Sequence, residues 1–198
     1  MKNLLILFIT IFSFTITAQT SGELEMINLV NKVRTNPKSF IPVVEAYIKT
    51  LETKPNPLDS IKIKGATVTK KIHSTNGRLK PLISEANALI FFLNHVKPVN
   101  ALELSLLLYP IAHTQAEYMD SIKILTHNGS NGNKRYVKGF ILCGENCAIG
   151  TTATEALLML LIDSGNNTKS HRTNIFLKDF TTIAIGNKKD YWVQDFGY

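Results

Sequence analysis

Apolar residues recur along this chain with two different periods, and the change from one to the other outlines the elements. Residues 23–34 place Met26, Ile27, Leu29, Val30 and Val33 at mostly three- and four-residue spacings, which predicts an amphipathic helix. Pro37 pushes Asn36 out of the helical region and ends it. Phe40, Ile41, Val43, Val44, Tyr47, Ile48 and Leu51 then resume a helical stripe, with Pro42 in its first turn. A first helical layer therefore covers about residues 22–52. Residues 53–80 change character: Pro55, Pro57, Gly65 and Gly77 punctuate them and Ile61-Lys62-Ile63-Lys64 alternates, so the stretch reads as an insertion or a marginal hairpin. Helical patterning returns over residues 84–95, and a long helix follows, starting near Ser105 or Pro110 and running to Lys123. Residues 125–144, rich in Gly and Asn, read as loop with little regular structure, and a loop of that length usually carries function. Residues 154–162 form a compact apolar helix that Thr152 or Thr154 can cap. The period then drops toward two: residues 182–185 and 191–196 predict a hairpin around Gly186-Asn187-Lys188-Lys189-Asp190. Helices early and strands late give an α+β class.

The apolar run from Leu4 to Ile16 stands apart. Lys2 precedes it and Thr17-Ala18 offers a small-residue exit, the pattern of a secretory signal peptide cleaved near Ala18. The run is shorter than the roughly 18–20 residues of a spanning helix. An uncleaved anchoring helix is the competing reading. The expected organisation is a signal peptide over residues 1–18 and one domain over 19–198, secreted or periplasmic, not membrane-spanning and monomeric.

Composition narrows the partners. The chain of 198 residues carries 22 Lys+Arg against 15 Asp+Glu, yet its lysines are scattered without the interleaved aromatic residues of a base-stacking surface, so specific nucleic-acid binding is not expected. A solvated basic face fits better, with loose attraction to anionic envelope polymer as an electrostatic extra. Two Cys are too few for a disulfide-dense scaffold, so the core must come from hydrophobic burial.

The second half of the chain holds the candidate chemistry. His127, Glu145, Asp163 and His171 supply two imidazoles and two carboxylates, donors suited to zinc and similar divalent ions, and a metal held by only two His keeps positions open for water or a ligand. No His-Glu-x-x-His pattern occurs, and each of the four can equally be a solvated or hydrogen-bonded loop residue. Glu145 and Asn146 can likewise pin their loop through backbone amides. His113 lies on the long helix as a packing or surface residue, and His73 and His95 are weaker ligand candidates still. Cys143 and Cys147 admit a short bridge, buried thiols or a share in a soft-metal site. Asn128-Gly129-Ser130 and Asn166-Asn167-Thr168 match glycosylation sequons, a pattern common by chance.

Taken together, His127-Asn128-Gly129, Cys143-Gly144-Glu145-Asn146-Cys147-Ala148, Asp163-Ser164, Ser170-His171-Arg172-Thr173-Asn174-Ile175 and Tyr191-Trp192-Val193-Gln194-Asp195-Phe196-Gly197 resemble the CAP domain. That family groups cysteine-rich secretory proteins, antigen 5 and plant pathogenesis-related proteins with bacterial SCP-like proteins. The likeness extends upstream through residues 26–37 and through Ala112-His113-Thr114 to Met119. It implies a three-layer α/β/α sandwich whose open cleft is lined by a His, Glu, Glu, His tetrad and often takes a divalent metal. His127 matches the first His, Glu145 the acid of the Gly-Glu-Asn motif and His171 the last His. Asp163, one methylene shorter than Glu, falls nearest the remaining position. Ser170 stands where a Gly often precedes the last His, and residues 165–169 lengthen the approach to it.

Two functions from different classes follow. The first is a secreted binding module whose metal cleft recognises a small-molecule, lipid or cell-envelope ligand. The alternative is a metal-dependent hydrolase or peptidase with Glu145 as general base. A purely structural role for the four residues is the third option.

Overall fold

The computed structural model describes residues 19–53, 76–129 and 142–198. The expected signal peptide, most of the 53–80 insertion and His73 lie outside the described residues.

Helix α1 (Ser21–Thr35) starts in a capping box: the Thr20 hydroxyl accepts from the Glu23 amide and the Glu23 carboxylate accepts from the Thr20 amide. Its buried stripe, Met26, Ile27, Val30 and Val33, is the one that the spacing predicts. A single 3-10 turn (Pro37–Phe40) leads into α2 (Ile41–Thr53), with Pro42 in the first turn where its missing N–H costs nothing. Helix α3 (Asn76–His95) begins earlier than the pattern suggests and carries Pro81 inside. A two-residue strand, β1 (Glu103–Leu104), precedes α4 (Tyr109–Ile122), which settles the ambiguity at Pro110 in favour of the later start. Strand β2 (Leu142–Ile149) is followed by α5 (Ala153–Ile162), whose N-cap is Thr152, and by α6 (Ser170–Phe176). The hairpin of β3 (Thr182–Lys188) and β4 (Tyr191–Gly197) closes the chain as expected.

The sheet runs β1-β3-β4-β2, with β1 parallel to β3 and the other pairs antiparallel. Period-two alternation sorts its side chains onto two faces. Ile183, Ile185, Trp192, Phe196 and Ala148 face the larger core, built with α1, α2, α3, α5 and α6. Ala184, Tyr191, Val193 and Cys147 face a smaller core under α4, with Ala112, Ala116 and Met119. This is an α/β/α sandwich of α+β class, with four strands enclosed between unequal helical layers. Helix α4 comes so close to the sheet that a Cβ on Gly186 would lie 2.1 Å from the Ala112 carbonyl oxygen, which only glycine permits.

Two differences from the sequence reading bear on the site. Residues 142–144, expected as loop, begin β2, and residues 170–176, read only as a motif, form α6. Strand β2 carries Gly144, Glu145 and Asn146, whose small and polar character hides the strand period. It owes its conformation to the pairing with β4, from Gly144 opposite Phe196 to Ile149 opposite Tyr191. A Cβ on Gly144 would lie 2.9 Å from the Phe180 ring.

A buried Arg34 ties the layers together. Its guanidinium donates to the carbonyls of Asn100 (2.7 Å), Ile175 (2.6 Å), Leu177 (3.1 Å) and Phe180 (3.4 Å). Burial lowers its pKa to about 10. Even so lowered it stays cationic at neutral pH, and the carbonyls stand in for water.

Candidate functional site

Strand β2 lies at the sheet edge, and the four residues singled out from the sequence meet around it. Glu145 and Cys147 are two apart, so they share the face of β2 that looks toward α4, while Asn146 takes the opposite face. His127 reaches Glu145 from the loop after α4. Lys123, in the left-handed conformation at φ 58°, ends that helix and turns the chain back. Buried Gln115 on α4 then donates to the carbonyls of Thr126 (2.7 Å) and Asn128 (3.1 Å), pinning the loop on both sides of His127. The outcome is a His127 Nδ1 to Glu145 Oε1 contact of 2.8 Å. Since a carboxylate only accepts, Nδ1 carries the proton there.

The second pair is built from two helix ends. Asp163 is the C-cap of α5, held at φ 51° with its amide donating to Met159, and α6 begins only seven residues later. Its buried carboxylate takes two bonds from one residue: Oδ2 accepts from the His171 amide (3.0 Å) and Oδ1 from His171 Nδ1 (2.8 Å). The intervening loop is stitched by Asn166, which accepts from Thr168 and donates to the Ser170 hydroxyl (2.7 Å). Ser170 thus has a positive role where a Gly was expected. Lys169 Nζ binds Glu85 (2.8 Å) and the Asp163 carbonyl (3.0 Å). Arg172, buried beneath, donates to the carbonyls of Leu161 (2.6 Å) and Ile162 (3.1 Å) at the end of α5. Burial pushes its pKa down, while Asp163 and Glu85 pull it back up.

The two imidazoles face one another across the cleft, with ring centroids 6.4 Å apart and planes inclined by 30°. Each is gripped at Nδ1 by its own carboxylate. Beside them a cavity of about 170 Å³ is lined by Leu125, Ile149, Met159 and Leu160 together with Cys147, Asp163 and His171.

The structure separates roles that the sequence left merged. Asn146 is the pinning residue: its amide donates to the His171 carbonyl (3.1 Å) and to Gln194 (3.0 Å), and its oxygen accepts from Asn174 (2.9 Å). Glu145 instead spends its Oε1 on His127. His113 stands away from the cleft beside buried Glu23 (3.4 Å), and His95 bonds the Phe91 carbonyl (2.7 Å). The sequence reading misses Gln115 and names Asn174 and Gln194 only as motif positions without a role. For Gln115 a signal existed, because it falls on the Ala112, Ala116, Met119 stripe where a polar residue needs a reason. For Cys147 the sequence leaves the alternatives open. The structure puts its buried Sγ 3.6 Å from the Thr126 carbonyl and 3.8 Å from His127 Nδ1. His127, Glu145 and Cys147 form a group with ligand atoms all within 4.8 Å of one another, which could hold a metal ion.

Among the described residues no helix is long and apolar enough to cross a membrane. The sequence profile of the cysteine-rich secretory protein family (CAP) matches residues 27–196. A solved structure of an extracellular protein containing an SCP domain, from Bacillus anthracis str. Ames, is similar at 20% identity and a TM-score of 0.42, over 60% of this chain. The chain spans 39% of the length of that protein. No curated protein matches the chain.

Proposed function

The chain belongs to the cysteine-rich secretory protein family, and on that premise we propose that it is an exported binding module whose cleft holds a divalent, zinc-like metal between His127 and His171 and presents it to a ligand. One observation carries the reading: both imidazoles have Nδ1 fixed by a carboxylate at 2.8 Å, and their ring centroids lie 6.4 Å apart. A carboxylate on one ring nitrogen fixes the tautomer and raises the basicity of the other nitrogen, which is how ligating histidines are prepared. The donor set therefore fits the metal, with Glu145 and Asp163 as orienting partners. A bound divalent ion would supply Lewis acidity and open coordination positions for a ligand oxygen or nitrogen.

The chain's own residues supply the rest. Leu125, Ile149, Met159 and Leu160 give the adjoining cavity apolar walls beside His171, which suits a ligand with an apolar part and a polar, metal-seeking head, such as a small molecule, a lipid or an envelope component. The hydrolase reading is weaker because Glu145 Oε1 is committed to His127, an orienting task rather than that of a general base. Export rests on the N-terminal pattern, and the fold is compatible with it: the capping box of α1 opens at Thr20, directly after the exit site. Mass spectrometry of the exported protein should find Gln19 at the N-terminus.

The deciding experiment is a calorimetric zinc titration at neutral pH of the wild-type chain beside a His127→Ala/His171→Ala variant. Micromolar binding that vanishes in the variant is the expected result. Equal binding by both, or none by either, would sink the metal reading and leave the pairs as loop-fixing contacts.

A further inference from the structure

Cys147 adds to the cleft a donor that neither the His pair nor the carboxylates supply. It shares a face of β2 with Glu145, and the Gln115-pinned loop lowers His127 onto both. Its Sγ lies 3.8 Å from His127 Nδ1, the atom on which Glu145 Oε1 closes at 2.8 Å, and the three ligand atoms fall within 4.8 Å of one another. Metal geometry gives these lengths a meaning. Zinc–sulfur and zinc–imidazole bonds of about 2.3 and 2.0–2.1 Å, opened to a tetrahedral angle, put S and N about 3.6 Å apart. The observed S···N separation is within a few tenths of an ångström of that figure. The N···O contact would lengthen by roughly half an ångström to accept an ion in place of the shared proton. Cys147 is almost fully buried between β2 and α4. A bound ion would therefore lie at the inner end of the cleft, beside a rim half-exposed at His127.

We propose that His127, Glu145 and Cys147 form a thiophilic subsite that captures a soft or borderline d10 cation through one nitrogen, one oxygen and one sulfur. Thiolate ligation selects such ions over magnesium, calcium and manganese, which favour oxygen donors. Binding proceeds with loss of the thiol proton to solvent as the metal–sulfur bond forms, with no change of oxidation state. The imidazole proton passes through solvent from Nδ1 to Nε2, so His127 stays neutral and turns from a hydrogen-bond donor at Nδ1 into a ligand there, and the net release is the single thiol proton. The inference rests on the reading that this cleft takes a metal. It differs in taking His127 through Nδ1 instead of the opposite ring nitrogen, with Glu145 as ligand instead of orienting partner, and in making Cys147 necessary.

The test titrates Cd²⁺ into the reduced full-length chain and follows the ultraviolet thiolate-to-metal charge-transfer band together with calorimetry. The wild type should give a band that saturates at one equivalent. Cys147→Ser should lose the band and bind Cd²⁺ weaker by roughly tenfold or more, given that removing even an outer-sphere partner costs that much. Cys143→Ser should keep it. No band in a wild-type chain that still binds metal through His127 and His171 would overturn the subsite and leave the proposed function standing. No metal binding of any kind would overturn both. A band lost in Cys143→Ser but kept in Cys147→Ser would also overturn the subsite. Should Cys147→Ser fold poorly, Cys147→Ala, which suits an almost fully buried apolar position, gives an independent reading. Loss of the Cd²⁺ band in that variant supports the subsite, and a retained band counts against it.

Discussion

The two His–carboxylate pairs share one contact length and differ in almost everything that makes it. His171 and Asp163 are eight residues apart, and the buried carboxylate takes both the ring and the backbone amide of the same residue. Arg172 seals the end of α5 beneath them, and Arg34 reaches the last turn of α6. His127 and Glu145 come from segments eighteen residues apart, with the His127 side chain 54% exposed. The His171 half is fixed by local geometry; the His127 half is fixed by a loop that Gln115 and Cys147 hold from other elements. A cleft with one rigid and one adaptable jaw can admit a ligand without rebuilding both sides, since binding elements are drawn from the less stable parts of a fold.

That contrast can be broken most forcefully at Arg34. Arg34→Ala leaves four carbonyls without their donor, and denaturant unfolding should show a loss of at least about 3 kcal/mol. An unchanged midpoint would mean that the α6 side is not held as described. Asp163→Ala comes next. It removes an acceptor of two bonds and puts alanine at φ 51°, so about 2 kcal/mol of stability should go, with roughly a 10- to 100-fold drop in zinc affinity. Asp163→Asn, which tolerates that backbone, should fall between it and the wild type.

Glu145→Gln sharpens the difference from the other side. Gln at this position keeps an oxygen that accepts from His127 Nδ1, and the His127 ring is 54% exposed, so stability should change by less than about 1 kcal/mol while zinc affinity falls roughly tenfold. A stability loss as large as that of Asp163→Ala would make the two halves equivalent and end the comparison.

The smallest effect lies outside the cleft and serves as a control. Burial, and then the neighbouring carboxylate of Glu23, raise the Tyr109 phenol to about 12. A group whose folded pKa is raised contributes stability that is complete below its unfolded value of about 10 and is lost as pH climbs toward 12. Tyr109→Phe should therefore flatten the fall of stability across that window and leave zinc binding at neutral pH untouched.

How much of this was legible beforehand depended on whether local forces decide the element. Helices α1, α2 and α5 and the final hairpin were readable because their apolar period, their proline placement and the Thr152 cap all act within a few residues. Strand β2 was not, because Gly144, Glu145 and Asn146 have little strand preference of their own and owe their conformation to β4, some fifty residues on. Residues 170–176 hid for a related reason: α6 has only seven residues, too few for periodicity to declare itself. The four cleft residues are legible as donor types and again as motif positions, and their meeting is an expectation that spacing alone cannot supply.

The sequence by itself determined the helical stripes, the terminal hairpin, the basic balance and the stock of imidazoles, carboxylates and thiols, since these follow from residue type and short-range periodicity. Only the tertiary structure decided which carboxylate serves which histidine, that Asn146 pins while Glu145 orients, and that Cys147 stands beside His127 rather than simply filling space. Those assignments depend on ångström-scale distances between segments far apart in the chain, and such distances are set by packing α4 and α5 against opposite faces of one twisted sheet.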